Sequence, residues 1–315
     1  MVMDAINSIL ALLLLIAAGY YITGKSWFGS TGANLISKLT MQLIIPCYMF
    51  YNVLDTCPTR ADLKNMLLST PVPMGIILLN LAMGLAAAKL LHIDRFRQGV
   101  FVNAMAFSNT TIIGFPVVEN IFGAQALPTA MIYYMGNTIL FWTIGVYMIQ
   151  RSSNTEEKHT FTVAQRIKKL LPPPMLGLLL GMAVVALDLP LPAFFQQGMS
   201  MMKNATTPMC MLFIGSIIQQ SGLKSLYPTR DMMSIVLVRF LLVPVMAFGI
   251  CMILPYDLLT KQVFFILATM PAMTQLGIMA KECGSDYEFA AAVITVTTTL
   301  SMAAIPIYVY FVSFL

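Results

Sequence analysis

The sequence predicts an all-α membrane protein with ten transmembrane helices, built as two inverted five-helix repeats whose interrupted helices 4 and 9 cross at mid-membrane. Three observations predict this fold: an apolar composition, ten apolar windows, and a motif shared by two interrupted windows. Hydrophobic residues make up 58% and charged residues 10% of the 315 residues, whereas about a quarter of an ordinary soluble domain is charged. So few charges cannot cover a water-facing surface. At roughly twenty residues per crossing, the chain has room for about ten spans.

The predicted spans are apolar windows separated by polar or Pro/Gly-containing segments. In chain order they cover residues 4–23, 32–54, 70–91, 98–122, 126–149, 172–189, 196–220, 231–254, 261–282 and 287–314. The longest polar connection, 151–171, is predicted to be a cytosolic basic linker between a first repeat, 1–150, and a second repeat, 172–315. The first window has no preceding Lys or Arg and no cleavage site, which indicates a retained span rather than a signal peptide.

Basic residues indicate the orientation of these spans. Twelve Lys and Arg residues fall in the connections after the odd-numbered spans or at the adjoining span ends, and only Arg60, Lys64 and Lys261 fall in or next to the connections of the opposite side. The positive-inside rule then places both termini outside the cytoplasmic (inner) cell membrane. Because each repeat holds an odd number of spans, the second repeat is inverted relative to the first, as in many secondary transporters.

Spans 4 and 9 share a motif. Residues 111–119 and 274–282 both read T-x-x-G-x-x-x-x-E at an offset of 163 residues, so that Gly114 corresponds to Gly277. A shared motif at a constant offset supports the duplication of the chain into two repeats.

Both motifs lie where polar residues, Gly and Pro interrupt an apolar window. The first interruption includes Asn109, Thr110 and Pro116, and the second runs from Pro271 to Gly277. Proline removes a backbone hydrogen bond, and in hydrocarbon the freed carbonyls need partners in protein or trapped water. Interrupted helices at matching positions of inverted halves predict the binding site of a transporter.

The chemistry of these interruptions favours an anionic or polar ligand. An interrupted helix exposes the amides at the start of its second half, which is the positive end of the helix dipole. Side chains of the same segments add hydrogen-bond donors and acceptors. The substrate-binding residues predicted there are Asn109, Thr110, Thr111, Gly114, Pro116, Pro271, Thr274, Gln275 and Gly277.

Charged residues inside the windows are further candidates. Arg239 is near the middle of span 8, where an unpaired Arg costs at least about 2.5–3.5 kcal/mol. We therefore expect Arg239 to contact the substrate, to bind backbone carbonyls or to pair with a carboxylate of the bundle. Glu119 and Glu282 occupy equivalent positions of the shared motif and are candidates for proton coupling or for lining a gate.

Residues 108–116, Ser-Asn-Thr-Thr-Ile-Ile-Gly-Phe-Pro, resemble the fourth-span motif of the auxin efflux carrier family. The resemblance extends to Pro46, to Asn137 with 141–145, to Pro208 with Gly215, and to 299–306. It runs the length of the chain and points to the compact bacterial branch that is malate-permease-like. One departure is Met279, which stands where strict repetition of span 4 would place a proline.

The resemblance implies a ten-span carrier with a scaffold of helices 1, 2, 6 and 7 and a moving transport domain of helices 3–5 and 8–10. It also implies that Asn137 belongs to the substrate site, and that the substrate is a small organic anion, either a malate-like dicarboxylate or an aromatic carboxylate. No cofactor or bound metal is expected beyond coupling to H⁺ or Na⁺. The expected partners are the substrate, the lipid bilayer and, as one option, a second copy of the chain in a homodimer.

Other classes of function remain as alternatives or are disfavoured. A sodium-coupled carrier of the bile-acid-symporter type is one alternative, because side-chain oxygens of the interruptions would suit a sodium ion. A gated channel fits less well, since inverted repeats with crossed helices favour alternating access. An enzyme is not expected, because His92 and His159 both fall in connections and no two aspartates lie at membrane depth. The formal charge of +5 reflects basic residues sorted to one side of the membrane rather than nucleic-acid binding.

Overall fold

The computed structural model describes residues 2–153, 171–221 and 229–312. Within these ranges every regular element is a helix, apart from one isolated β-bridge. The α-helices are, in chain order, α1 (Val2–Thr23), α2 (Gly29–Leu39), α3 (Ile45–Thr56), α4 (Arg60–Ser69), α5 (Pro71–Leu90), α6 (Arg95–Ala106), α7 (Phe115–Phe122), α8 (Leu127–Leu140), α9 (Val146–Arg151), α10 (Pro173–Ala186), α11 (Ala193–Asn204), α12 (Thr206–Ser221), α13 (Arg230–Leu237), α14 (Val243–Ile253), α15 (Leu258–Ala268), α16 (Gln275–Glu282) and α17 (Tyr287–Val312). The prediction of an all-α chain is confirmed.

Several of these helices have the length and apolar character of membrane spans. Among the described residues, four helical segments qualify by length and composition, namely Arg60–Leu90, Ala124–Arg151, Arg230–Ile253 and Tyr287–Val312. Shorter apolar helices are Leu10–Thr23, Thr110–Phe122, Pro173–Ala186 and Leu258–Ala268. The ten-span inverted repeat remains a prediction.

Prolines enter three helices directly after a π-helical turn, in which the backbone is wound more widely than in an α-helix. The turns are Thr40–Ile44, Thr110–Gly114 and Val238–Leu242, and Pro46, Pro116 and Pro244 each follow as the second residue of the next α-helix. In a regular α-helix the proline ring would clash with the carbonyl four residues earlier. A π-turn at that point changes the local register, so these prolines are accommodated without ending the helix.

The case of Pro244 shows how a freed carbonyl is satisfied. Pro244 has no N–H to offer the carbonyl oxygen of Phe240, which lies four residues earlier. The hydroxyl of Tyr308, on α17, donates to this oxygen at 2.9 Å. A side chain from a neighbouring helix thus replaces the missing backbone donor, as is required in an apolar surrounding.

The connection predicted between spans 2 and 3 is itself largely helical. Thr59 and Asp62 form a capping box at the start of α4, in which the Asp62 N–H donates to Thr59 Oγ1 at 3.2 Å and the Thr59 N–H donates to Asp62 Oδ2 at 3.1 Å. The T-x-x-D spacing is a helix-start signal, and it places Arg60 and Lys64 on a helix rather than in a loop.

The described chain divides into two compact units. The first unit comprises the described residues within 2–70, 111–132 and 171–220, and the second comprises those within 71–110, 133–153 and 229–312. The chain passes from the second unit to the first between Thr110 and Thr111, inside span 4. The predicted assignment of scaffold and transport roles to particular helices stays a prediction. The predicted basic linker, apart from its ends, lies outside the described residues, as does His159.

Glycines allow the helices of the first unit to touch through their backbones. A Cβ atom on Gly19 of α1 would lie 2.3 Å from the carbonyl oxygen of Leu212, and one on Gly215 of α12 would lie 2.1 Å from that of Ile16. Close helix contacts through small residues are the usual packing mode in membranes, where apolar surface alone gives little attraction.

An ion-pair cluster lies among the helix ends of the second unit. Arg97 at the start of α6 donates from Nε to Asp286 at 2.7 Å and from Nη1 to Asp231 at 3.1 Å. Asp231 is the second residue of α13, and Asp286 precedes α17, so one guanidinium links three helix starts. The Ser285 hydroxyl adds a 2.9 Å bond to the carbonyl of Phe96.

Candidate functional site

Two interruptions of helical structure lie in the second unit. The first break comprises residues 107–109, between the end of α6 and the π-turn that begins at Thr110, and the second break comprises residues 269–274, between α15 and α16. Pro271 lies inside the second break, as the sequence indicates. Pro116 does not lie in the first break. The preceding π-turn accommodates the proline, and Thr110–Phe122 is one continuous helical segment.

The two breaks bind each other as a short antiparallel β-bridge between Ser108 and Ala272. The backbone N–H of Asn109 donates to the carbonyl oxygen of Pro271 at 2.8 Å, and the N–H of Met273 donates to that of Phe107 at 3.3 Å. These residues are buried. The bridge therefore supplies partners for backbone groups that the two helices leave open, which an apolar surrounding demands. We call the two breaks together the break junction.

Asn137 of α8 holds the first break in place. Its Oδ1 accepts from the Ser108 N–H at 3.2 Å, and its Nδ2 donates to the Ser108 carbonyl oxygen at 3.1 Å. Asn137 is fully buried. Its carboxamide thus bonds both the N–H and the carbonyl oxygen of Ser108, as a neighbouring β-strand would.

The sequence did not single out two hydroxyl residues at the break junction. The Ser108 hydroxyl donates to the carbonyl oxygen of Ala268 at 3.1 Å, and the Thr297 hydroxyl of α17 accepts from the Ala272 N–H at 3.2 Å. Ser108 stands within the family-like motif, and Thr297 begins a run of three threonines in span 10. The sequence signal that could have identified both residues is the clustering of polar side chains within an apolar window.

Arg239 forms hydrogen bonds with both breaks and has a relative exposure of 0%. Of the roles that the sequence left open, the structure shows the binding of backbone carbonyls. The guanidinium donates to Ala104 and Met105 near the end of α6 at 2.9 and 2.8 Å, and to Met270 and Pro271 of the second break at 2.8 and 3.2 Å. A further bond from Nη2 reaches the Ser108 hydroxyl at 2.8 Å. Among the described residues, no carboxylate forms an ion pair with Arg239.

Other predicted site residues in the second unit have polar groups at the helix starts beside the breaks. Thr110 is 1% exposed, and its Oγ1 has no hydrogen-bond partner among the described residues. Thr274 and Gln275 are half-buried, and the Thr274 hydroxyl donates to Gln275 Oε1 at 3.2 Å. Thr274 is the N-cap of α16 without a side-chain capping bond. Gly277, one turn further, lies near Ile294, whose Cδ1 would be 3.2 Å from an added Cβ.

The remaining predicted residues belong to the first unit. They are Thr111, Gly114, Pro116 and Glu119. Glu119 is half-buried and accepts a 2.9 Å hydrogen bond from the hydroxyl of Tyr48, which is itself fully buried on α3. Glu282, its counterpart in the shared motif, is exposed. The two motif glutamates therefore have different surroundings.

Two helix breaks that bind each other inside an apolar helical protein are typical of membrane transporters. Comparison with known sequences gives the same class. The chain belongs to the family described as "Membrane transport protein", whose model matches residues 4–309, and the resemblance to the auxin efflux carrier family is thereby confirmed. Membership of a transporter family also agrees with the expectation of a non-enzymatic function.

Two archaeal relatives match nearly the full chain. An uncharacterized transporter of Methanothermobacter thermautotrophicus is 24% identical over 311 residues, which cover 97% of this chain and 98% of the relative. An uncharacterized transporter of Methanocaldococcus jannaschii is 22% identical over 313 residues, with the same coverage of 97% and 98%. These relatives agree with a membrane-embedded transporter.

Proposed function

We propose that the protein is a secondary transporter that moves a small organic anion across the cytoplasmic membrane by alternating access, with a malate-like dicarboxylate or an aromatic carboxylate as substrate. The single observation that carries the proposal is the break junction, where two buried helix breaks bind each other and a buried, positively charged side chain. Transporters use such discontinuous helices to hold substrate because their ends offer unpaired backbone groups.

The charge at the break junction supports an anion as substrate. Arg239 is buried, and an arginine side chain is not deprotonated in proteins. Its partners are carbonyl and hydroxyl oxygens rather than a carboxylate of the described chain. Helical segments begin at Thr110 and Gln275, next to the two breaks, and their first amides carry the positive end of each helix dipole. The charge of Arg239 and the dipoles of the two helix starts all make the electrostatic potential more positive, which favours a negative ligand nearby.

Side chains at the same place would recognise the polar atoms of a carboxylate. Thr110 has a buried hydroxyl without a partner among the described residues, and a buried polar group of this kind costs free energy unless something binds it. Asn109, Thr274 and Gln275 add amide and hydroxyl groups at the two helix starts. Asn137 has a supporting role, since its carboxamide is engaged by Ser108.

The proposed coupling ion is a proton that binds Glu119. This carboxylate is half-buried and accepts a hydrogen bond from the hydroxyl of the buried Tyr48, so it is held at a defined place inside the first unit. Sodium coupling, as in the bile-acid-symporter type, is the alternative and would show as sodium-dependent uptake. Both termini are proposed to lie outside, on the charge distribution of the connections.

The proposal is tested by counterflow in proteoliposomes loaded with unlabelled L-malate or the auxin indole-3-acetate. We expect saturable uptake of the labelled carboxylate that is stimulated from the opposite side. We expect Asn109→Ala to lower this uptake at least about tenfold, the equivalent of losing roughly 1.4 kcal/mol of substrate or transition-state binding, while Asn65→Ala on the exposed face of α4 leaves it unchanged. Flux that rises linearly with concentration would indicate a channel, and no flux of any carboxylate would refute the proposal.

A further inference from the structure

Arg239 breaks the symmetry between the two halves of the sequence. At the 163-residue offset of the shared motif, the position that corresponds to Arg239 is Ile76, a buried apolar residue of α5. The first half therefore has no guanidinium at the matching place. One buried charge serves both breaks of the junction.

The hydrogen bonds of Arg239 engage every N–H group of its guanidinium. Nε donates to Met270, Nη1 donates to Ala104 and Met105, and Nη2 donates to Ser108, Met270 and Pro271. A guanidinium carries five N–H groups, and these six bonds leave none for a ligand. In this structure the side chain therefore has no donor left for direct binding of substrate.

The oxygens bound by Arg239 come from both chain segments of the junction. Ala104 and Met105 lie in the last turn of α6, where carbonyls have no helical N–H partner. Met270 and Pro271 lie in the second break. Only a planar fork of five donors can bind both groups of carbonyls at once, and a lysine ammonium at the same position would be a point charge with three donors.

We infer that Arg239 is a positioning residue, which fixes the two breaks in their bridged geometry and supplies, without touching substrate, the positive charge that draws an anion to the junction. The second part rests on the proposed function, and the first does not. In a buried, weakly polarisable surrounding, a full charge acts over a longer distance than it does in water, so contact is not needed for selection.

Two substitutions separate the positioning of the two breaks by the guanidinium, which we call the clamp, from the effect of its charge. Arg239→Lys keeps the charge but loses the fork, and Arg239→Gln loses both. Hydrogen–deuterium exchange in purified protein should show that the bridging amides of Asn109 and Met273 exchange at least about tenfold faster in both variants, while α1 of the first unit exchanges as in the wild type.

Transport kinetics test the charge. For L-malate or indole-3-acetate counterflow, we expect the KM of Arg239→Lys to stay within about threefold of the wild type and that of Arg239→Gln to rise at least about tenfold. Unchanged exchange at both bridging amides would refute the clamp, and an equal rise of KM in the two variants would refute the charge. If the wild type carries neither probe, the anion part falls with the proposed function, and exchange alone decides the clamp. If Arg239→Gln does not fold, Arg239→Lys decides: open bridging amides with an unchanged KM support the inference, and a KM raised tenfold contradicts it.

Discussion

The backbone N–H of Asn109 donates to the carbonyl oxygen of Pro271 at 2.8 Å, and this bond joins segments that are far apart in the sequence. Each residue lies in a helix break of the second unit. The bond gives both breaks a fixed geometry. The helical segments that begin at Thr110 and Gln275 follow the bonded residues closely in the sequence, so the bond also restrains these two helix starts.

Asn137→Ala should destabilise the protein. The substitution leaves the Ser108 N–H without its 3.2 Å partner, whereas the Ser108 carbonyl oxygen loses a 3.1 Å bond but keeps the N–H of Thr110 at 2.9 Å. A buried group left unpaired costs about 1–3 kcal/mol, so we expect the free energy of unfolding to fall by about that amount. Denaturant unfolding in detergent measures it. The control is Thr143→Ala, at an exposed position whose hydroxyl bonds, among the residues that the structure describes, within its own helical segment. It should change stability by less than about 0.5 kcal/mol.

Gly145→Ala should also destabilise the second unit. An added Cβ would lie 2.4 Å from Asn103 Oδ1 and 2.9 Å from the ring of Phe107, which would displace the first residue of the first break. Overpacking of this kind costs typically about 1–3 kcal/mol. Gly249→Ala on α14 meets no atom within 4 Å and, in a helix interior, should be neutral or stabilising by up to about 1 kcal/mol. Equal melting temperatures for the two variants would show that the close approach at Gly145 is unimportant.

Glu119→Gln should uncouple transport from protons. The half-buried carboxylate at Tyr48 is the proposed proton site, so uptake driven by a pH gradient should fall at least about tenfold while counterflow persists. Tyr48→Phe retains the ring beside Phe115, whose centroid lies 5.8 Å away, and should weaken the coupling by a smaller factor. Glu282→Gln at an exposed position should leave both activities intact. Proton-driven uptake that survives Glu119→Gln would place the coupling elsewhere.

Asp257 should contribute to stability in a pH-dependent way. Burial raises its pKa, but the hydrogen bonds it accepts from the hydroxyl and N–H of Thr260, at 2.7 and 3.0 Å, outweigh this and hold the pKa below its ordinary value. The folded state therefore prefers the ionised carboxyl. Its contribution is present above the unfolded pKa of about 4 and is lost as pH falls below that value through the folded pKa. Asp257→Asn keeps a helix-capping side chain and should flatten melting temperature against pH in this acid range. An unchanged acid slope would contradict this role.

The sequence predicts the all-α character of the described chain correctly, because long apolar windows favour helices, whose backbone hydrogen bonds are satisfied within one segment. Pro271 also predicts the second break correctly. Pro116 suggests a break that the structure does not have at this residue. Nothing in the local sequence reveals that the π-turn Thr110–Gly114 accommodates the proline within a continuous helical segment. The break instead falls at 107–109, where Asn137 and the second break provide partners for the backbone.

Long-range pairs account for most of what the sequence does not reveal. The contact between Tyr48 and Glu119 joins residues 71 positions apart, and no local pattern marks Tyr48 as a partner. Arg239 was recognisable as a costly buried charge, but its partners are backbone carbonyls, which every residue possesses. Composition therefore cannot show which oxygens a buried arginine will bind.

The most direct test of the proposed carrier is carboxylate binding at the break junction, measured as the shift of melting temperature of purified protein with a panel of organic acids, with and without sodium. We predict that at least one carboxylate raises the melting temperature of the wild type and that Asn109→Ala abolishes the shift. A shift that is the same in the wild type, in Asn109→Ala and in Thr274→Ala would contradict the account, because the substrate would then bind elsewhere.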